Sequence, residues 1–136
     1  MSRKELLKVE NLKQYFPIKG GIFGRTVNYV KAVDDISFTA YEGETVSIVG
    51  ESGCGKSTTG RSILRLDEPT AGKVEFNGID ILSLNKRELR KIRKDIQIIF
   101  QDPYASLNPR QTVRQILSEA MRIQNVVPKS QINARI

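Results

Sequence analysis

The chain has 136 residues, of which 22 are Lys or Arg and 15 are Asp or Glu, so that its formal charge is +7, and it contains no histidine. With 39% hydrophobic and 27% charged residues it has the composition of one globular domain, which excludes disordered, collagen-like and coiled-coil chains. No apolar run reaches the roughly 18 residues of a membrane span, and residues 1–10 lack the apolar stretch of a secretory signal.

The first forty residues predict short strands in an antiparallel arrangement. A strand is predicted from Leu6 to Leu12, and a glycine-rich loop is predicted over residues 17–24. The β-branched and aromatic residues of Val27 to Val33 and of Ile36 to Tyr41 predict two further strands.

Two short apolar runs are typical of strands buried on both faces of a parallel sheet. These are Thr45 to Val49 and Ile96 to Phe100. The first run ends in a glycine loop, and the pattern predicts a helix that begins at Lys56 and stops at the turn residues 67–72. The order strand, glycine loop, helix is the important feature of this region.

The remaining elements follow from capping and turn signals. Lys73 to Asn77 predicts a strand, and the capping-box spacing at 85–88 predicts a helix from Lys86 to about Arg93. A second capping box at 112–115 predicts a helix with apolar residues at helical spacing, which Pro128 ends.

The segment from Gly50 to Ser57, GESGCGKS, fits the phosphate-loop pattern G-x-x-x-x-G-K-[ST] between a predicted strand and a predicted helix. Such a loop points backbone N–H groups and a helix N-terminus at an anion, while Lys56 reaches the β and γ phosphates and the Ser57 hydroxyl ligates Mg²⁺. A tight turn capped by serine is the alternative, which leaves the Gly-Lys-Ser order unexplained. The candidate phosphate-binding residues are Gly50, Glu51, Ser52, Gly53, Cys54, Gly55, Lys56, Ser57 and Thr58.

Three further features receive a structural interpretation. The basic run from Lys86 to Lys94 is interpreted as the solvated face of an amphipathic helix, because the interleaved aromatic residues of a nucleic-acid surface are missing. Cys54, the single cysteine, excludes an internal disulfide, and its side chain is expected to point away from the phosphate loop. Gly60 is expected to allow close helix packing.

The chain resembles the ATP-binding subunits of ABC transporters, within them the oligopeptide and dipeptide importers. The resemblance is carried by KVENLKQYF, VGESGCGKST, LDEPTAGKVEFNGIDI and IIFQDPYASLNPR. It implies the N-terminal half of an α/β phosphate-loop NTPase: an antiparallel β subdomain with part of a parallel α/β core, whose sheet is incomplete. The expected organisation over residues 1–136 is a phosphate loop at 50–58, a glutamine loop near 101 and the start of a helical subdomain over 112–136.

The resemblance also implies ligands and site residues. ATP and Mg²⁺ are the expected ligands, and Phe16 matches the aromatic residue that stacks on adenine, with Tyr15 as the alternative. One of these two rings could instead be a core aromatic. Gln101 matches the glutamine that reaches Mg²⁺ and the attacking water, so Lys56 and Gln101 are the candidate catalytic residues and Ser57 and Gln101 the candidate metal ligands.

Other parts that the resemblance leads one to expect are missing from the sequence. It contains no LSGGQ signature, no apolar strand that ends in Asp-Glu and no switch histidine. We therefore expect the chain to be the N-terminal part of a longer ATPase, with the C-terminal half absent, and to be catalytically incompetent alone. Two alternatives are a nucleotide-binding or interaction fragment without turnover and a different phosphate-loop NTPase, although no Asn-Lys-x-Asp segment for guanine is present.

The implied partners are the transmembrane subunits of an importer and a second ATP-binding subunit, with an extracellular solute-binding protein as an indirect partner. Peptides or similar small solutes are the implied cargo, and no nucleic acid is expected to bind. The implied location is the cytoplasmic face of the cell membrane, as a peripheral subunit, and the basic charge suits a position beneath an anionic leaflet.

Overall fold

The structure is a computed structural model that describes residues 3–20, 25–102 and 107–136. Two compact units make up the chain, Met1–Ile96 and Gln97–Ile136, and each is described by itself. The predicted segments at 21–24 and 103–106, which belong to the glycine-rich loop and to the segment after the candidate glutamine, lie outside the described residues.

A four-stranded antiparallel sheet forms the frame of the first unit. Strand β1 spans Glu5–Gly20, β2 spans Arg25–Tyr41, β3 spans Ala71–Phe76 and β4 spans Ile79–Asp80. The order across the sheet is β2-β1-β3-β4, and every neighbouring pair is antiparallel. The predicted antiparallel arrangement is therefore confirmed.

Strand β1 is much longer than predicted, since it continues past Leu12 to Gly20. The prediction that a loop begins at Pro17 is therefore wrong for residues 17–20. Among the described strands, β3 pairs with β1 from Leu7 to Lys13, and the rest of β1 pairs with β2 alone. A proline, which cannot donate to a ladder, is tolerated where one side of the strand is free. The two strands predicted between residues 27 and 41 form a single strand, because the pairing of β2 with β1 continues through both segments.

Helices pack on this sheet. Helix α1 spans Lys56–Ile63, and helix α2 spans Lys86–Ile92 after a 3₁₀ turn at Ile81–Ser83, both close to the predicted bounds. The capping box of α2 is confirmed, since the Asn85 side chain accepts from the Glu88 N–H and the Glu88 carboxylate accepts from the Asn85 N–H. The buried core cluster consists of Val9, Leu12, Ile63, Val74, Phe76, Ile81 and Leu89.

The second unit is helical where it is described. Helix α3 spans Val113–Gln124, a 3₁₀ turn spans Lys129–Gln131 and helix α4 spans Ile132–Arg135. The predicted capping box of α3 is confirmed, with Thr112 and Gln115 exchanging both hydrogen bonds. Within the described ranges, no helix combines the length and the apolar character that a bilayer crossing requires.

Both predicted buried strands are wrong. Residues 45–49 and 97–100 lie in no strand, and Val49 and Ile99 are 88% and 95% exposed. A strand in the middle of a parallel sheet exists only when neighbours satisfy its N–H and C=O groups on both sides, and none of the described strands pairs with either segment. The apolar runs are present in the sequence, but their sheet is not formed here.

Candidate phosphate-binding site

The phosphate-loop segment leads directly into helix α1. Gly55 is the N-cap residue, with a left-handed backbone at φ 93°, and Lys56 is the first helical residue. Gly53 is also left-handed, at φ 84°. Because L-residues with side chains rarely adopt this conformation, the glycines of the motif allow the chain to turn sharply into the helix.

Strand β2 holds this turn from behind. A Cβ atom added to Gly55 would collide with the carbonyl oxygen of Ala32, and it would also meet a methyl group of Val33 at 3.7 Å. Ala32 was not among the candidate site residues, because nothing in the linear motif indicates that a strand residue 23 positions earlier lies against Gly55. Glycine is therefore required at this position both by the contact with β2 and by the left-handed backbone conformation.

Helix α1 is anchored to the sheet through its buried face, which consists of Thr59, Ser62 and Ile63. The Ser62 hydroxyl donates to the side-chain oxygen of Gln14 on β1 over 3.5 Å, and the Thr59 hydroxyl donates to the Gly55 carbonyl over 3.0 Å. The Ser62 bond ties the last turn of α1 to β1, and the Thr59 bond links the first turn to its N-cap residue.

The N-terminus of α1 offers unpaired donors. No side chain caps it, and the first helical hydrogen bond is donated by the Thr59 N–H to the Gly55 carbonyl at 2.8 Å. In the part of the chain that the structure describes, the N–H groups of Lys56, Ser57 and Thr58 have no acceptor. Free N–H groups at the positive end of a helix attract an anion.

The Lys56 side chain folds over the loop. Its ammonium group donates to the carbonyl oxygens of Gly50 and Glu51 over 2.8 and 2.5 Å and lies 3.5 Å from the Cys54 sulfur. The expectation that Cys54 points away from the loop is therefore wrong, because its sulfur faces the same ammonium group. A cation already held at the loop, next to unpaired N–H groups, suits a phosphate ligand.

Two hydroxyl residues complete the motif on the helix. Ser57 is exposed, and its hydroxyl group has no hydrogen-bond partner among the described residues, so it is available to a ligand. Thr58 is half-buried. An exposed hydroxyl oxygen beside the phosphate position is a ligand of the kind that Mg²⁺ accepts.

The two candidate aromatic residues lie next to each other on β1 in different environments. The Phe16 side chain is 40% exposed, and Phe16 pairs across the ladder with Val30 of β2. Val30 precedes Ala32, the residue against Gly55, by two positions, which is about 7 Å along a strand. Phe16 and the phosphate loop are therefore adjacent to the same short stretch of β2.

Tyr15 is held in a polar cluster that the sequence did not indicate. Its hydroxyl group donates to the Asp34 carboxylate, and the Lys31 ammonium group lies 5.1 Å from its ring centre and 3.3 Å from Asp34. The hydrogen bond from Tyr15, followed by that from Lys31, holds the pKa of Asp34 below its ordinary value. The same bond to Asp34, with burial second, raises the pKa of Tyr15.

The Tyr15 phenol is expected to titrate closer to its ordinary pKa when Asp34 is replaced by asparagine. The pKa of Tyr15 is higher in the folded chain than in the unfolded chain, where it is about 10. The protonated phenol therefore stabilises the fold below about pH 10, and this stabilisation is lost as the pH rises through the pKa of Tyr15 in the folded chain. Asp34→Asn removes the carboxylate that causes this shift. The measurement is the difference in phenolate absorbance between each protein and its Tyr15→Phe counterpart during an alkaline titration.

Asp35→Asn is the matched control for this titration. Asp35 is the neighbouring carboxylate, and it accepts from the Asn11 amide instead of from Tyr15. An Asp34→Asn variant in which the Tyr15 pKa stays at the wild-type value would contradict the assignment of this cluster.

Gln101 lies at an exposed bend in the second unit, after the apolar segment 97–100. Its role as metal ligand and catalytic residue stays a prediction. The loop that follows it contains the residues outside the described ranges, and Asn108 then closes a turn by accepting from the Arg110 N–H over 3.0 Å.

Comparison with known proteins places this geometry in a family context. The family model described as "ABC transporter" matches residues 33–135. The chain is 48% identical over 136 residues to the oligopeptide transport ATP-binding protein AppF of Bacillus subtilis, covering 99% of this chain and 41% of AppF. It is 54% identical over 114 residues to the probable peptide ABC transporter ATP-binding protein y4tS of Sinorhizobium fredii, covering 84% of this chain and 32% of y4tS.

A solved structure shares the fold. The dimeric structure of a post-hydrolysis state of the ATP-binding cassette MJ0796, bound to ADP and Pi, matches with a TM-score of 0.75 and 30% identity over 96% of this chain and 53% of that one. The chain thus spans less than half the length of the two curated relatives and about half of this cassette.

Proposed function

The chain belongs to the ABC transporter family, and from this membership we propose that it is the N-terminal, nucleotide-binding part of an importer ATPase. The proposed ligand is ATP with Mg²⁺. The proposed activity of the whole subunit is ATP hydrolysis coupled to the uptake of peptides or similar small solutes, which is supported by the names of the two curated relatives.

One observation carries this proposal. The left-handed Gly55 starts an uncapped helix whose first N–H groups are unpaired, and the Lys56 ammonium group lies over the same loop. This combination supplies several donors and a full positive charge at one place, and no acidic side chain is among the hydrogen-bond partners of Lys56 in the described residues. Such a site is suited to the polyphosphate of a nucleotide.

The proposed roles of the individual residues follow from their chemistry. Lys56 exchanges its loop carbonyls for phosphate oxygens, and the N–H groups of the loop orient the phosphate chain. The Ser57 hydroxyl and the Gln101 carbonyl oxygen would hold Mg²⁺. The metal, when bound, supplies positive charge that neutralises phosphate oxygens during hydrolysis. Gln101 is the proposed link to the attacking water.

The proposed partners are a second ATP-binding subunit and the transmembrane subunits of the importer, with a solute-binding protein acting indirectly. The dimeric form of the MJ0796 cassette supports pairing of two such subunits. The +7 formal charge suits a peripheral position at the cytoplasmic face of an anionic membrane.

Phe16→Ala is expected to raise the Kd of Mg-ATP about tenfold, and that of Mg-GTP by a similar factor, because an aromatic ring stacks on any base. A base stacked on an aromatic ring contributes about 1 to 3 kcal/mol, and about 1.4 kcal/mol corresponds to tenfold in Kd. Phe16 is exposed, whereas the Tyr15 hydroxyl is tied to Asp34, so Tyr15→Ala is the control with the smaller expected effect. Calorimetric titration of both variants with Mg-ATP and Mg-GTP measures this.

Three results of these titrations have distinct meanings. A larger loss with Tyr15→Ala would assign the adenine contact to Tyr15 instead. Tighter binding of GTP than of ATP would favour a different phosphate-loop NTPase. The absence of saturable Mg-ATP binding by the wild-type chain would contradict the proposed function as a whole.

A further inference from the structure

A second basic site lies in the first unit, between the C-terminal end of α1 and helix α2. It is an open cavity of about 290 Å³. Four cationic side chains and one acidic side chain line it, together with Leu89, and these charged residues are Arg65, Lys86, Arg90, Arg93 and Glu68. None of these residues belongs to the phosphate-loop segment, and Lys86, Arg90 and Arg93 lie in the basic run that the sequence indicated as a solvated face.

One cation of the cavity, Arg65, is already neutralised by an ion pair. The Arg65 Nε donates to both carboxylate oxygens of Glu68, each over 2.9 Å, and its Nη1 donates to the carbonyls of Ile81 and Leu84 over 3.2 and 2.6 Å. The Arg65 side chain is only 19% exposed. Glu68, the acidic residue of the cavity, is therefore paired with Arg65 and does not form an ion pair with the other three cations.

Two other cations of the cavity lack counter-ions among the described residues. Lys86 and Arg90 are four positions apart on α2 and therefore lie on the same helix face. Neither forms an ion pair within the described residues. Their charges converge on the cavity without an acidic partner there.

Arg93 is the most informative residue of the site. Its Nη2 donates to the Arg65 carbonyl over 3.1 Å, but its Nε is buried and has no hydrogen-bond partner. It is the one buried side-chain donor without a partner in the described part of the chain. An unsatisfied buried donor on a charged group costs more than the roughly 1 to 3 kcal/mol of a neutral one. A rotation of the Arg93 side chain that brings Nε to an acceptor in the cavity would remove this cost.

We propose that this cavity binds the phosphate group of a small anionic ligand, at a site separate from the phosphate loop. A phosphate dianion offers several acceptor oxygens, which match the planar Arg90 and Arg93 guanidinium groups and the Lys86 ammonium group. The volume is near the lower end of small-ligand pockets, which begin at about 300 Å³. The ligand is therefore a phosphate or a headgroup-sized phosphomonoester.

The test is a calorimetric titration of the full 136-residue chain with inorganic phosphate at fixed ionic strength. All proteins carry Lys56→Met, which prevents phosphate from binding at the phosphate loop. The double variant Lys86→Gln/Arg90→Gln is expected to raise the Kd for phosphate at least tenfold. The control is Arg87→Gln/Lys91→Gln, which removes the same charge from the same helix outside the cavity, and its Kd is expected to change less than twofold.

Arg93→Lys keeps the charge and removes Nε, and it is expected to raise the Kd about fivefold. Circular dichroism checks that each variant is folded, and if Arg93→Lys unfolds, the variants of the exposed residues decide the result. Equal weakening by the cavity pair and the control pair would overturn the proposal, because it would indicate general charge attraction.

A second arm distinguishes the source of the phosphate. Phosphatidic acid vesicles and phosphatidylcholine vesicles are compared in a co-sedimentation assay with the same variants. Binding to phosphatidic acid alone, lost in the cavity variant and kept in the control, identifies a lipid headgroup as the ligand. Binding of soluble phosphate alone identifies a free phosphate compound, and binding of neither overturns the proposal.

Discussion

Lys56→Met is expected to weaken the binding of Mg-ATP by roughly a hundredfold. The ammonium group of Lys56 lies over the phosphate loop, next to the carbonyls of Gly50 and Glu51. A pair of unit charges about 4 Å apart near a protein surface interacts by about 4 kcal/mol. The two carbonyl bonds given up on binding offset part of this, which leaves about 3 kcal/mol, or roughly a hundredfold in Kd.

The same substitution is expected to change the free energy of unfolding much less. The loop residues from Gly50 to Cys54 are exposed, so water can replace the lost ammonium donor at their carbonyls. Calorimetry with Mg-ATP gives the affinity and urea denaturation gives the stability, and together they separate a binding residue from a structural one. Lys91→Met, an exposed lysine on α2, is the control with wild-type affinity.

The interpretation of the loop as a phosphate site depends on this result. If wild type and Lys56→Met released equal heat on titration with nucleotide, the ammonium group would have no part in binding. The proposed function would then lose its principal support in the chemistry of the loop.

Gly55→Ala is expected to lower the free energy of unfolding by about 3 kcal/mol and to abolish nucleotide binding. The left-handed backbone at φ 93° costs a residue with a side chain about 1 to 2 kcal/mol. In addition, the new methyl group would be forced against the Ala32 carbonyl, a backbone atom that a side-chain rotation cannot move. Relief of the collision requires α1 to move away from β2, and this displaces the N–H groups of the loop.

Gly60→Ala is the matched control in the same helix. A Cβ atom at Gly60 meets no atom within 4 Å, and the backbone there is helical, so this variant is expected to be more stable than wild type by about 0.5 to 1 kcal/mol. The sequence-based expectation that Gly60 allows close helix packing is therefore wrong. Urea denaturation of the two variants measures the contrast, and similar stabilities for both would contradict the role given to Gly55.

Features that depend on neighbouring residues along the chain were predictable. The capping boxes that begin α2 and α3 join residues three positions apart, and the helix starts at Lys86 and Val113 agree with them. The phosphate-loop motif likewise predicted a helix that begins at Lys56, because glycine spacing and helix start are local properties. In these cases the partners of each hydrogen bond are already present in the linear pattern.

Features that depend on distant partners were not predictable from the residues. The runs at 45–49 and 96–100 have the composition of buried strands, yet strand formation requires neighbours that the described chain does not supply. Conversely, Pro17 indicated a loop and lies within a strand, because pairing with β2 continues past it.

The site shows the same division between local pattern and tertiary contact. The identities of Gly55, Lys56 and Ser57 sufficed to indicate an anion site, since curled backbone and charge are encoded within one short segment. The contact of Ala32 with Gly55 and the hydrogen bond from Tyr15 to Asp34 could not be predicted in this way, because they depend on the register of β1 and β2 and on the packing of α1. These contacts join residues 19 to 23 positions apart, and only the folded sheet brings their atoms together, because composition carries no information about which strand positions face each other.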